Sequence, residues 1–163
     1  MFAKVRSSTI IGIDAVPVCV EVVIANGLPD FHIVGLPDLA VKESAKRVCA
    51  AIKNSGYTFP SRRVTVNLAP ANIKKEGPSF DLPIAVGILA AMGEISGEAL
   101  ADKVICGELS LDGELRPISG VLPRAIEVRM RERLSLFVPR YNAREAAVVD
   151  HLAVYPVSNL LEL

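Results

Sequence analysis

The chain has 163 residues, of which 51% are hydrophobic and 22% are charged, enough apolar material for one folded domain with its own core. Its 18 lysines and arginines balance 18 acidic residues, so it lacks the strongly basic composition of a dedicated nucleic-acid module. The three cysteines lack the spacing of a disulfide framework or a zinc site. The apolar run after Arg6 is short and interrupted by Gly12 and Asp14, which argues against a signal peptide or a membrane span. We therefore expect a soluble, cytoplasmic protein.

The first third of the chain predicts β-strands. Segments 3–13, 16–27 and 30–37 are rich in β-branched residues and are separated by turn residues, among them the Asn26-Gly27 pair. Three consecutive strands joined by short turns predict an antiparallel meander.

A helix and a further strand are predicted to follow. Apolar side chains recur at helical spacing in segment 38–54, where Asp38 is the predicted N-cap and Gly56 the stop signal. Segment 62–70 then alternates apolar and polar residues, as a half-buried strand does.

Segment 79–92 predicts a second, buried helix. Its start must lie near Ser79, because Pro83 is tolerated only in the first turn of a helix. Asp81 stands in the same turn, where a negative charge interacts favourably with the helix dipole.

Beyond residue 100 the pattern alternates between strands and helices. The Asp112-Gly113 pair predicts a hairpin turn, and strand–helix–strand order predicts parallel pairing in a mixed sheet. We therefore predict an α/β (α+β) fold with two layers, a mixed sheet covered by helices, as a single domain over residues 1–163. The predicted elements of this half are strand 103–111, helix 121–133, strand 134–140, helix 142–150 and strand 152–157.

Ser79 follows a Gly77-Pro78 bend at the start of the second predicted helix. Backbone N–H groups at a helix start stabilise negative charge, so a serine there suits either a nucleophile or a helix cap. A nucleophile also needs a general base within hydrogen-bond reach, and neither His32 nor His151 has a sequence context that indicates one. We therefore predict that Ser79 is structural and caps the helix.

Two segments, KKEGPSFDLP with Ser79 and CGELSLDGELRPISGVL downstream, resemble the proteolytic domain of Lon proteases. In that family a Gly-Pro-Ser carries the nucleophile, and a catalytic lysine follows a Gly-Gly pair. The spacing of that lysine from the serine falls on Leu122, which cannot accept a proton, while Arg124 nearby stays protonated in proteins. The resemblance implies a domain with a Lon-like, ribosomal-protein-type βαβ fold that is not an enzyme. Ser79 would then be the vestige of the catalytic nucleophile. Lys74 and Lys75 on the preceding loop are the alternative bases.

A longer resemblance covers nearly the whole chain. GLPDFHIVGLPDLAVKES, VTVNLAPANIKKEGPSFDLPIA and GELSLDGELRPISGVLP are similar, in this order, to segments of the ComM/YifB proteins, also called magnesium-chelatase-like AAA+ ATPases. The resemblance implies a Lon-like N-terminal domain joined to a C-terminal AAA+ module outside these residues, in a ring helicase for DNA branch migration during natural transformation. The chain has no GxxxxGKS or GxxxxGKT phosphate loop, so ATP and Mg²⁺ would belong to that module.

Three functions are therefore weighed. The favoured one is a non-catalytic accessory domain of a AAA+ DNA-remodelling ATPase, whose partners are its own AAA+ module, further copies in a ring, and DNA, with no membrane. The alternatives are a surviving serine peptidase that uses Ser79 and a partner-binding domain of a chelatase-like or chaperone-like ATPase. Seven basic residues are candidate DNA contacts: Lys42, Lys46 and Lys53 on one flank of the first helix, and Arg62, Arg63, Lys74 and Lys75 elsewhere. The simpler interpretation is that these residues form a solubilising surface.

Overall fold

A seven-stranded mixed sheet forms the centre of the computed structural model, which describes residues 1–163. A separate two-stranded hairpin and four α-helices surround it. No helix has the length and apolar composition that crossing a membrane requires. The strands are β1 (Phe2–Ile11), β2 (Asp14–Ala25), β3 (Asp30–Val34), β4 (Arg63–Ala69), β5 (Lys103–Ile105), β6 (Glu108–Leu109), β7 (Leu115–Arg116), β8 (Ser135–Pro139) and β9 (Ala153–Val157), and the helices are α1 (Leu39–Asn54), α2 (Asp81–Met92), α3 (Val121–Met130) and α4 (Ala143–Ala146).

The strand order in the sheet is β3-β4-β2-β1-β5-β8-β9. Strand β2 pairs antiparallel with both β1 and β4, whereas β5, β8 and β9 are parallel, as strand–helix–strand order predicts. The predicted meander of the first three strands is wrong, because β3 pairs in parallel with β4 at the sheet edge. Helix α1 connects these two strands, and a helical crossover returns the chain in the parallel direction.

Helix α2 is the centre of the larger hydrophobic cluster. It has apolar residues on all sides and is buried along nearly its whole length, against α1 and strands β1 and β2. Gly87 allows its close approach to the sheet, because a Cβ there would lie 2.7 Å from Val22 Cγ2. Each fully buried Ile or Leu of this helix contributes about 1.5–3 kcal/mol relative to exposure, so α2 is a rigid support for whatever its first turn presents.

Helices α3 and α4 cover the opposite face of the sheet near β5 and β8. Val104, Cys106, Leu136 and Val138 pack against these two helices, whereas the intervening Ile105 faces the larger cluster. Alternate residues of a strand point to opposite faces, so the helices flank both faces of this half of the sheet. The mixed α/β fold is confirmed, with a second helical layer added on this side.

Asp38 is the N-cap of α1, as predicted. One carboxylate oxygen accepts the Val41 N–H at 2.8 Å, and the other accepts the Gly77 N–H at 3.1 Å. The loop before α1 is thus fixed to the loop before Ser79, and both loops border the same cleft.

Candidate functional site

The start of α2 is held against the end of strand β5. The predicted strand 103–111 is interrupted at Gly107, where the chain leaves the sheet. The Gly107 N–H donates to the Ser79 carbonyl at 2.9 Å, and the Leu82 N–H donates to the Gly107 carbonyl at 3.0 Å. A Cβ at Gly107 would lie 3.3 Å from Leu82 Cβ in the first turn of α2 and 2.7 Å from Leu115 Cδ2, so a glycine favours this approach. These contacts fix the position of Ser79.

The Ser79 hydroxyl contacts Arg124 and does not cap a helix. Residues Pro78–Phe80 form a single 3₁₀ turn before α2, and neither helix start has a side-chain cap. Arg124 Nη2 donates to Ser79 Oγ at 3.0 Å, and both residues are buried. The predicted cap is therefore wrong, because the hydroxyl accepts a hydrogen bond from across the cleft.

Arg124 also binds strand β1. Its Nη1 donates to the Ser8 carbonyl, to Ser8 Oγ at 3.1 Å and weakly to Cys106 Sγ at 3.6 Å. Its Nε is buried without a partner. No carboxylate of the chain forms an ion pair with this guanidinium.

The residue opposite Ser79 is thus Arg124, and not Leu122 as the spacing of the Lon lysine predicts. Leu122 is exposed, and its N–H donates to Glu145 Oε1 at 3.1 Å. The sequence contains a signal for Arg124, since it falls in the buried stripe of α3 with Val121, Ala125 and Val128. A guanidinium stays protonated and has no acceptor, so it cannot take the proton of Ser79.

Neither loop lysine supplies a base. Lys75 Nζ donates to the Gly35 carbonyl at 2.8 Å and to the Pro70 carbonyl. Lys74 Nζ pairs with Glu76 at 3.0 Å. The alternative serine–lysine pair is therefore not assembled in this structure.

Lys75 is also not a surface residue. Its side chain is among the largest that are fully buried, and burial lowers the pKa of its amine from 10.5. The expectation that Lys75 contacts DNA is wrong, because its ammonium is enclosed by two carbonyl groups. Its role is to join the loop before α1 to the loop before Ser79.

Asp81, two residues after Ser79, forms a second buried network. It lies in the first turn of α2, as predicted, and accepts from Arg47 Nε at 2.7 Å, from Arg47 Nη2 at 3.1 Å, from Ser44 Oγ and from the Leu109 N–H at 3.1 Å. The hydrogen bond to Asp81 raises the pKa of Arg47. Helix α1, helix α2 and strand β6 are thereby joined, a tertiary role that the sequence did not indicate.

Ser79 and Arg124 line a cleft of about 640 Å³. The cleft lies between the loop before α2, the loop before α3 and the end of strand β1. No three His, Cys, Asp or Glu side chains of the chain converge to hold a metal ion. The lining residues are Ile10, Gly12, Asp38, Glu76, Gly77, Pro78, Ser79, Glu108, Pro117, Ile118, Ser119, Gly120 and Arg124.

A second groove of about 760 Å³ lies along α1. Lys46 and Lys53 line it together with Arg62, and Phe31 and Phe59 form its aromatic part with ring centroids 5.7 Å apart. Lys42 is exposed on the same helix. The structure therefore places three predicted DNA contacts, Lys42, Lys46 and Lys53, on or beside one basic and aromatic groove.

Comparisons with known proteins identify relatives. The family model described as subunit ChlI of Mg-chelatase matches residues 20–142. Competence protein ComM of Haemophilus influenzae is 42% identical over 99% of this chain and 31% of its own length, and YifB, an uncharacterized protein of Salmonella typhimurium, is 43% identical over 91% and 29%. Lon protease 2 of Bacillus subtilis is 25% identical over 75% of this chain and 22% of its own length. The chain thus spans about a third of the length of ComM and YifB.

Proposed function

Because the chain belongs to the family of the Mg-chelatase subunit ChlI, ComM and YifB, we propose that it is a non-catalytic accessory domain of a chelatase-like AAA+ ATPase. In this proposal the ATPase module lies outside the 163 residues. That module binds ATP and Mg²⁺ and assembles the protein into a homo-oligomeric ring in the cytoplasm. The whole protein acts on DNA, in branch migration or recombination during natural transformation, as the likeness to a competence protein suggests.

The contact between Arg124 and Ser79 is the observation that carries the non-catalytic assignment. A serine nucleophile needs a base that removes its proton. The one side chain that hydrogen-bonds to Ser79 Oγ is a guanidinium, which donates to the oxygen lone pairs and cannot accept.

One sequence feature supports the placement of ATP and Mg²⁺ outside this chain. The sequence has no phosphate loop. ATP binding is therefore assigned to the module outside this chain, and this domain is assigned to assembly or DNA guidance.

The groove along α1 supports a DNA contact. Its lysines and Arg62 offer charge to a phosphate backbone, and Phe31 and Phe59 offer aromatic surface beside them. Basic grooves with aromatic side chains suit single-stranded nucleic acid, because every base has a face that can stack. We propose this groove as the place where DNA passes the domain.

A chimera tests the proposal. The segment of Haemophilus influenzae ComM that matches this chain would be replaced by the 163 residues, and transformation frequency and ATPase activity would be measured. We expect the chimera to restore transformation, whereas deletion of the segment abolishes it. A folded chimera that hydrolyses ATP but does not support transformation contradicts the DNA role and favours a partner-binding domain.

The peptidase alternative has its own test. The chain would be incubated with unfolded casein and with a fluorophosphonate probe that labels activated serines. We expect neither casein turnover nor labelling by the probe. Labelling that disappears in the Ser79→Ala variant would show that Ser79 is an activated nucleophile despite its contact with Arg124.

A further inference from the structure

The cleft beside Ser79 contains a cation without a counter-ion. Arg124 is only 3% exposed, lines the cleft and has no carboxylate partner. Its Nε is buried without any hydrogen-bond acceptor. Buried charges in proteins are ordinarily paired, so the missing partner is itself an observation that points to a ligand.

The Ser79 hydroxyl has an unused donor. Its oxygen accepts from Arg124 Nη2 at 3.0 Å, but no acceptor in the structure receives the hydroxyl hydrogen. Charge on the neighbouring guanidinium strengthens such a donor. Serine and arginine together therefore offer hydrogen bonds to an oxyanion in the cleft.

The first turn of α3 adds a favourable field. Gly120, with φ of 72°, is the N-cap of this ten-residue helix and supplies no side-chain cap. Gly120 and Ser119 line the cleft. The Leu122 N–H donates to Glu145 Oε1 and Pro123 has no N–H, so the N–H groups of Gly120 and Val121 are the ones left without an acceptor. Free N–H groups at a helix start favour an anion.

Three carboxylates line the same cleft, and none neutralises Arg124. Asp38 is engaged by the N–H groups of Val41 and Gly77. Glu76 is exposed and pairs with Lys74 at 3.0 Å. Glu108 is partly exposed, and after the hydrogen bond to Asp81 its charge is a further cause of the raised pKa of Arg47. None of these acids lies within ion-pair distance of the Arg124 guanidinium.

The size and lining of the cleft restrict the ligand. Its volume of about 640 Å³ suits a small molecule. Apart from prolines, Ile10 and Ile118 are its only hydrophobic side chains, and no aromatic ring is available to stack on a base. These features fit a small polar anion better than a nucleobase or an apolar peptide side chain.

We propose that this cleft binds a small molecule through a carboxylate or phosphate group held by Arg124, Ser79 and the N-terminus of α3. The ligand replaces the missing counter-ion of Arg124. The site is distinct from the groove along α1 and does not depend on the proposed function.

Nuclear magnetic resonance titration of the 163-residue chain tests the proposal. Inorganic phosphate or acetate would be added separately at constant ionic strength, with chloride as the balancing anion. We expect saturable shifts of the Ser79 and Gly120 amides and of the Arg124 Nε–H signal. Saturation by phosphate alone or by acetate alone would identify the preferred group, and shifts that never saturate, or that map to α1, would overturn the proposal.

Variants separate binding from folding. Ser79→Ala keeps the guanidinium and should weaken binding about 10- to 150-fold, the effect of one hydrogen bond to a charged partner. Arg124→Gln should abolish saturation, and Arg140→Gln, an exposed site outside both the cleft and the α1 groove, should change nothing. If Ser79→Ala folds and binds as the unchanged chain does, the cleft is not the binding site.

Discussion

Two guanidinium groups lie near the start of α2, and they differ in their partners. Arg47, whose side chain is 21% exposed, pairs with the buried Asp81 at 2.7 Å. Arg124, which is 3% exposed, has hydroxyl, carbonyl and thiol neighbours but no carboxylate. The more deeply buried cation thus has the weaker set of partners, the reverse of what stability alone favours. We infer that the Arg47 network holds the fold and that the Arg124 network leaves charge available in the cleft.

Lys75 is a third buried cation and sharpens the contrast. It also lacks a carboxylate, and its ammonium contacts two carbonyl groups. Burial lowers the pKa of the lysine, so it can relieve its charge by losing a proton. An arginine stays protonated, so Arg124 can be neutralised only by an anion.

The largest expected effect comes from breaking the paired network. Asp81→Ala would leave Arg47 with only the exposed Glu43 carboxylate at 3.9 Å and the Leu109 N–H without its acceptor. We expect a loss of about 3–5 kcal/mol in the free energy of unfolding, typical of a broken buried ion pair. Urea unfolding followed by circular dichroism measures it.

Asp112→Asn is the matched control, because this carboxylate lies in the exposed hairpin turn. We expect it to unfold close to the unchanged chain. A loss below about 1 kcal/mol for Asp81→Ala would mean that the pair contributes no more than a surface salt bridge.

Two Ser79 variants change the partners of Arg124: one removes an acceptor of its hydrogen bonds, and the other adds the carboxylate that it lacks. Ser79→Ala removes an acceptor of Arg124 Nη2 and should cost about 1–3 kcal/mol, the penalty of an unsatisfied buried donor. Ser79→Asp would place a carboxylate beside the guanidinium, so we expect stability equal to or above that of the unchanged chain, with loss of the phosphate response. Urea unfolding and the phosphate titration provide both measurements.

A Ser79→Asp chain that is as unstable as Ser79→Ala would contradict an unpaired charge at Arg124. Tolerance of aspartate is also expected of a helix cap, but a cap gives no reason for losing phosphate binding. The two readouts together therefore distinguish the interpretations.

Local sequence patterns predict most helices and strands, but they do not predict which strands pair or which side chains meet. Asp38, Gly56 and Pro83 predicted the limits of α1 and α2, because caps and helix breakers act within one turn. The pairing of β3 with β4 depends on where α1 returns the chain, which local patterns do not record. Arg124 was missed for a related reason, since counting residues between motifs points to Leu122, whereas the helical stripe of α3 turns Arg124 inward.

Lys75 gives a pH-dependent prediction. Below its folded-state pKa the amine is protonated in both states, and between that pKa and 10.5 the unfolded chain binds more protons. The free energy of unfolding should therefore rise with pH through this window, relative to Lys75→Met. Urea unfolding of both chains from neutral pH to pH 10.5 tests this. A difference that falls or stays constant would mean that the buried amine keeps its charge.

The smallest expected effect concerns the exposed lysines of α1, which lie in solvent and need no buried partner, unlike Arg124 and Lys75. Nonspecific DNA binding usually has a Kd of about 10⁻⁴–10⁻⁶ M, and the balanced net charge predicts no tighter binding for this chain.

Replacing the three α1 lysines by glutamine should weaken binding to single-stranded DNA and reduce the salt slope by about 2, since each lost phosphate contact removes about 0.7. Replacing three exposed arginines outside the groove should leave the slope almost unchanged. Fluorescence anisotropy across a salt series measures both, and equal effects of the two sets would show that α1 is only a solubilising surface. The lysine set is Lys42, Lys46 and Lys53, and the control set is Arg116, Arg140 and Arg144.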